Sequence, residues 1–120
     1  MNQMIDSPHP MFASDRVEGT AVFNRAGDRL GKVERFMVDK ISGQAEYAVM
    51  SFGGVLGIGH RHFPLPWQAL TYEPEKGGYV VDVTKEQIEG APGYDAEGEE
   101  PKYDRDYKEQ VYTYYGFPYI

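Results

Sequence analysis

Two histidines separated by one residue, His60 and His62, are the side chains in this sequence best spaced for metal chemistry. On a strand, residues two apart share a face, so both imidazoles could turn toward one ion with Glu46 or Glu73 as a conceivable third ligand. Zinc needs three or four protein ligands, and this spacing supplies two. Solvent-facing residues at a strand end account for the pair with fewer assumptions. Just before them, Gly54, Gly57 and Gly59 suggest a phosphate loop, yet the order is not G-x-G-x-x-G and no Lys-Ser or Lys-Thr follows. A flexible loop between two strands explains them better. The four serines lack a G-x-S-x-G context, and no carboxylate pair with contrasting surroundings can be read from spacing. The chain has no cysteine, which removes disulfides, thiolate metal sites and cysteine nucleophiles together. The expectation is a protein without enzymatic activity and without a cofactor.

The elements that would position these residues come from a chain of 120 residues, long enough for one domain with a real core and too short for two. Its 14 Gly and 8 Pro point to many turns and few long helices. A formal charge of −7 opposes sequence-independent nucleic-acid binding, which needs Lys and Arg to displace phosphate counterions, and an anionic membrane surface would repel the chain as well. The first fifteen residues have no basic n-region and no apolar stretch of signal-peptide length, so the expected setting is cytoplasmic, with no direct membrane insertion. Residues 1–16, with Pro8-His9-Pro10, read as an extended arm.

From residue 17 to 83 the chain is a series of β-type runs, at 20–24, 30–39, 45–52, 60–65, 70–73 and 79–83, separated by turn chemistry. Closely spaced short strands favour a small, closed or nearly closed antiparallel barrel. In the second run Val33 and Met37 share one parity while Phe36 and Val38 share the other, which predicts a bulge near Glu34 and Arg35. Trp67, following Pro66 in a one-turn context, is expected to be largely buried as a plug at one barrel end. Thr84-Lys85-Glu86-Gln87 matches a capping box, with Val83 and Ile88 as its staple, so a short helix should follow and stop at Gly90. Residues 95–100 hold four acids and no base and read as a solvated linker.

The residues Gly19-Thr20-Ala21-Val22, Gly27-Asp28-Arg29-Leu30-Gly31-Lys32-Val33, Val38-Asp39-Lys40-Ile41-Ser42-Gly43-Gln44, Tyr47-Ala48-Val49, Gly53-Gly54 and Pro64-Leu65-Pro66-Trp67 resemble the PRC-barrel family, in particular its short stand-alone bacterial members. That family includes the cytoplasmic domain of the photosynthetic reaction centre H subunit and the C-terminal domain of the ribosome maturation factor. The resemblance implies a mainly β fold, a small antiparallel PRC-type β-barrel with short helices, spanning residues 17–94 and docking on other macromolecules without chemistry of its own. No acidic quinone-site residue of the reaction-centre branch can be matched here.

Residues 95–120, an acidic linker and a Tyr-rich tail, lie outside that motif. A helix is expected from Pro101 to Tyr115, with Gly116 and Pro118 as stop signals. Tyr103, Tyr107, Val111 and Tyr114 recur at spacings of four, four and three, which puts them on one helical face. That stripe can cover its own barrel or a neighbour's. With Tyr115 and Phe117 it forms the expected protein interface, in a homodimer or higher even oligomer that also takes an unidentified protein partner. The alternative function is a small-ligand or metal-binding module using residues 53–62.

Overall fold

The longest pairing in the molecule, β2 (Arg29–Val38) with β3 (Ala45–Gly53), is interrupted, and the interruptions shape everything around it. The computed structural model describes residues 11–53 and 60–118. Along β2 and β3, Val33 opposes Met50 and Arg35 opposes Val49, leaving Glu34 as an extra residue. Further on, Met37 opposes Tyr47 and Val38 opposes Ala45, so Glu46 is the extra residue on the other strand. A third bulge lies at Leu30, where β1 (Ala21–Asn24) pairs Val22 with Gly31 and Phe23 with Arg29. The parity conflict in the sequence is resolved at Glu34, as expected: each extra residue turns the strand over and bends it. Leu30 and Val33, of opposite parity, therefore both reach the core.

The first element among the described residues is a single helical turn, α1 (Ser14–Val17), and after β3 follow β4 (His60–Pro66), a 3-10 turn (Trp67–Ala69), β5 (Thr71–Glu73), β6 (Gly78–Val81), α2 (Lys85–Glu89), β7 (Tyr94–Asp95) and α3 (Arg105–Tyr115). The strands form one sheet in the order β5-β6-β1-β2-β3-β4-β7. All neighbours are antiparallel except β1 and β6, which run parallel. The sheet is mainly β as expected, but two features of the expected barrel are corrected: one pair is parallel, and the ladder stays open, with β5 and β7 at its two ends.

Rolling without closure follows from the core and the edges. Phe63 and Leu65 of β4 share one buried cluster with Tyr79 and Val81 of β6, although β4 and β6 stand four places apart in the ladder, about 19 Å in a flat sheet. Only a sheet curled on itself brings them together. Its free edge is then blocked chemically. The His60 carbonyl accepts from the Ala96 amide on the β7 side, so even-numbered residues of β4 point their backbone groups outward. Beyond His62, which β7 covers, the remaining two such residues are Pro64 and Pro66, which have no N–H to offer another strand.

The capping box forms as expected: the Thr84 hydroxyl accepts from the Gln87 amide at 3.0 Å, and Gln87 Oε1 accepts from the Thr84 amide at 2.8 Å. Ile88 is thereby driven fully into the core. Trp67 departs from expectation. It follows Pro66 in the 3-10 turn but is half-buried at the rim, packed on Phe36 and Tyr79 at ring separations of 5.7 and 6.0 Å. The largest fully buried side chain is Phe63 instead.

Gly31 shows how tightly β2 and β3 approach: a Cβ there would sit on the Ser51 carbonyl oxygen, a backbone atom with nowhere to move. Gly31→Ala is expected to cost about 2 kcal/mol or more. Urea denaturation checks this, and an unchanged midpoint would show that the strands can part.

Candidate functional site

The tail is attached to the sheet by an aromatic layer built on the Glu46 bulge. Helix α3 begins at Arg105 and not at Pro101, because the Asp104 carboxylate accepts from the Tyr107 amide at 3.0 Å and caps it there. Gly116 ends it in the left-handed conformation, at φ +80°. Residues 101–103 stay outside the helix, so Tyr103 joins the stripe from the extended segment before the cap.

Tyr47 of β3, almost fully buried, is the centre of the layer. Its ring lies 5.1 Å from Tyr103, 6.5 Å from Tyr107 and 5.8 Å from Tyr112, the last edge-to-face. Val111 is fully buried in the same cluster, with Met37, Tyr115 and Phe117 packed around it. The Tyr112 hydroxyl donates to the Glu46 carbonyl at 2.7 Å, and Lys108 Nζ meets the Glu46 carboxylate at 2.8 Å while lying over the Tyr112 ring. One bulged residue thus receives two side chains of α3. Tyr114 faces outward and is 42% exposed, its hydroxyl donating to the Gln87 carbonyl of α2.

Of the six residues expected to form an interface, Tyr103, Tyr107, Val111, Tyr115 and Phe117 lie against this chain's own sheet, and Tyr114 turns away from it. Sequence spacing missed Tyr112 and Tyr47. Tyr112 lies four residues after Lys108, and that spacing, taken with an acid at a strand end, was the available signal.

Burial decides the electrostatics of the layer. Desolvation raises the hydroxyls of Tyr107 and Tyr112 each to about 12, and raises Tyr47, Tyr103 and Tyr115 as well. The hydroxyls of Tyr47, Tyr107 and Tyr115 are buried without a hydrogen-bond partner among the described residues.

The histidine pair is split by environment. His60 is exposed, whereas His62 is only 8% exposed and stands edge-on to Tyr94 at 5.5 Å. Among the described residues no three His, Asp or Glu side chains gather closely enough to hold a metal. Glu46 is engaged by Lys108, and Glu73 lies on β5 at the opposite end of the ladder from β7. Gly54, Gly57 and Gly59 lie outside the described residues.

A second surface was not singled out from the sequence. The turn between β2 and β3 carries Ile41, 95% exposed, with Val38 at 47% beside it. Asp39 accepts from the amides of Ile41 and Ser42 at 2.9 and 2.8 Å, and the Gly43 amide donates to the Asp39 carbonyl at 2.8 Å. The Ser42 and Ile41 amides hold the Asp39 carboxyl below its usual range. Gly43, at φ +78°, completes a fixed turn. No helix among the described residues is long and apolar enough to cross a membrane.

Residues 9–88 match the PRC-barrel domain family, two thirds of the chain, and the chain belongs to that family. No curated protein matches it. Among solved structures it is similar to one described as a 16S ribosomal RNA processing protein, RimM, of Pseudomonas aeruginosa, at 20% identity and a TM-score of 0.39. That likeness covers 67% of this chain and 48% of the other, so the chain matches about half the length of that protein.

Two outcomes follow from the aromatic layer. Tyr112→Phe should cost about 1–2 kcal/mol, since the Glu46 carbonyl loses its donor in a buried place. Thermal unfolding measures it, and no change would mean that the bond contributes nothing. Alkaline pH should also loosen the fold. Unfolded tyrosines lose their protons near pH 10 and Tyr107 and Tyr112 near 12, so the unfolded state binds fewer protons between these values and stability falls as pH rises through that window. Absorbance of tyrosinate against pH, with the denatured chain as reference, reads it directly; coincident curves would contradict it.

Proposed function

We propose that this PRC-barrel chain is a non-catalytic adaptor that docks on a folded protein, with the β2–β3 hairpin tip as its anchor. The presentation of Ile41 supports this reading: an almost fully exposed branched apolar side chain stands on a turn already fixed by the Asp39 carboxylate. A scattered exposed apolar residue is ordinary. One held rigidly beside a second, Val38, offers a partner a contact that costs little ordering entropy to engage.

The partner proposed is a protein with an apolar pocket, a second copy of this chain included. The aromatic stripe of α3 lies on its own sheet, which favours the intramolecular alternative for the tail and leaves the hairpin tip and the outer face of Tyr114 for association. The proposed setting is cytoplasmic, and the charge of −7 disfavours nucleic acid as a partner.

The test uses a photo-crosslinking residue at position 41, with position 25 on the β1–β2 turn as control, alongside light scattering of the full chain. Discrete protein adducts from position 41, to a partner or to a second copy, are expected, and Ile41→Asp should abolish the same association while leaving the melting temperature unchanged. Equal labelling from both positions would refute the docking role of the tip.

A further inference from the structure

The tail is fastened to the sheet a second time, at His62. Residues 96–104 form a strap between β7 and α3, and its near end is held by several short contacts. The Ala96 amide donates to the His60 carbonyl at 3.0 Å, and Arg61 meets Asp95 at 2.6 Å. Arg35 meets Glu100 at 3.7 Å. The hydroxyls of Tyr94 and Tyr103 share a hydrogen bond of 3.1 Å, and the Tyr94 hydroxyl donates weakly to Glu100 at 3.5 Å. Beneath them His62 pairs with Tyr94 in the β4–β7 ladder and with Ser51 in β3. Its ring meets the Tyr94 ring at 83°. Its Nδ1 is buried and has no hydrogen-bond partner among the described residues.

We infer that His62 is a proton-operated latch: when its imidazole gains a proton, Tyr94 and the strap lift away from β4, and α3 loses the tether that keeps its aromatic face on the sheet. The inference stands apart from docking at the hairpin tip.

The geometry gives the sign. A protonated ring would put a charge on a residue only 8% exposed and would make the buried Nδ1 a donor without an acceptor among the described residues. Arg35 of β2 and His60 of the same strand oppose that charge, and Glu34 of β2 and Glu100 of the strap favour it, while Tyr94 of β7 presents its ring. Burial, followed by Arg35, outweighs the two carboxylates and holds His62 below its usual value. Lifting the strap returns the ring to water, where its pKa is near 6.5. The released form then binds more protons than the closed form. Acid favours release from about pH 6.5 downward, by up to about tenfold per pH unit, until the closed-state pKa is reached. Above that window the latch is shut. Release uncovers Tyr103, Tyr107 and Val111, a face that the sheet of a second copy fits as well as this chain's own.

Amide hydrogen exchange of the full chain between pH 8 and pH 5, in EDTA and corrected for intrinsic rates, tests this, with Trp67 fluorescence in parallel. Trp67 is the one tryptophan, and it lines the same cavity as Tyr112 and Pro118, so it senses departure of the tail. Protection over residues 105–115 should fall by up to about tenfold per pH unit below pH 6.5 while β2 and β3 keep theirs. His62→Phe, which keeps a ring against Tyr94 and cannot protonate, should abolish the fall, and His60→Gln should leave it intact. A wild type that keeps α3 protected at pH 5, a fall that survives His62→Phe, or one that disappears in His60→Gln overturns the inference. If His62→Phe does not fold, the imidazole titration of the wild type decides. A His62 midpoint below the usual histidine value, with the α3 loss lying between that midpoint and about pH 6.5, sustains the latch, and a midpoint at the usual value defeats it.

Discussion

Two extra residues in one ladder, Glu34 on β2 and Glu46 on β3, carry most of this architecture. A strictly pleated pair of strands this long would put Val33 and Phe36 on opposite faces and could not wrap one core. The bulges let both strands turn and bend inward, which is how β4 and β6, far apart in strand order, come to contribute to one buried cluster. The same residues fasten the tail. The Glu46 carbonyl is taken by the Tyr112 hydroxyl and its carboxylate by Lys108, while Arg35, next to the first bulge, reaches Glu100 of the strap. The irregularity that rolls the sheet also creates its points of attachment.

The open ladder has an equally local cause. A barrel closes when its two edge strands exchange backbone hydrogen bonds. Here β5 has three residues and β7 two, and Pro64 and Pro66 remove the outward donors from the stretch of β4 that β7 leaves uncovered. Helix α3 packs against β4. Its aromatic residues cluster with Met37 of β2 and Tyr47 of β3, and with the prolines in place a bare edge able to template another chain is avoided.

Local grammar in the sequence was read correctly where one interaction decides the outcome. The capping box at Thr84 and the bulge at Glu34 each follow from a few neighbouring residues. Longer-range choices were not legible in the same way. The start of α3 was set by the Asp104 carboxylate against the pull of Pro101. Trp67 was expected inside because it follows Pro66 in a one-turn context, and the core was filled by Phe63 instead. Whether the stripe faced its own sheet depended on Tyr47, sixty residues before Tyr107, which no periodicity within the tail could reveal. The split between His60 and His62 likewise came from β7, two residues long and lying in the border of what reads as a solvated linker.

The chemistry of the aromatic layer explains why a tail can be ordered and still detachable. Tyrosine buries a large ring but brings a hydroxyl that costs about 1–3 kcal/mol when it is sealed from water without a partner. Tyr103 and Tyr112 find partners in Tyr94 and the Glu46 carbonyl, whereas Tyr47, Tyr107 and Tyr115 find none among the described residues. Phenylalanine at those three positions would bury the same ring area without that cost. The attachment of α3 is thus weaker than its aromatic surface implies, and elements that open locally are drawn from weakly held parts of a fold. Of the ion pairs that assist it, Arg61 with Asp95 and Arg35 with Glu100 are largely exposed and add little, and Lys108 with Glu46 is the more sheltered one. What remains to hold the near end of the strap is the Ala96 to His60 backbone bond, the hydrogen bond between the Tyr94 and Tyr103 hydroxyls and the packing of Tyr94 on the buried His62.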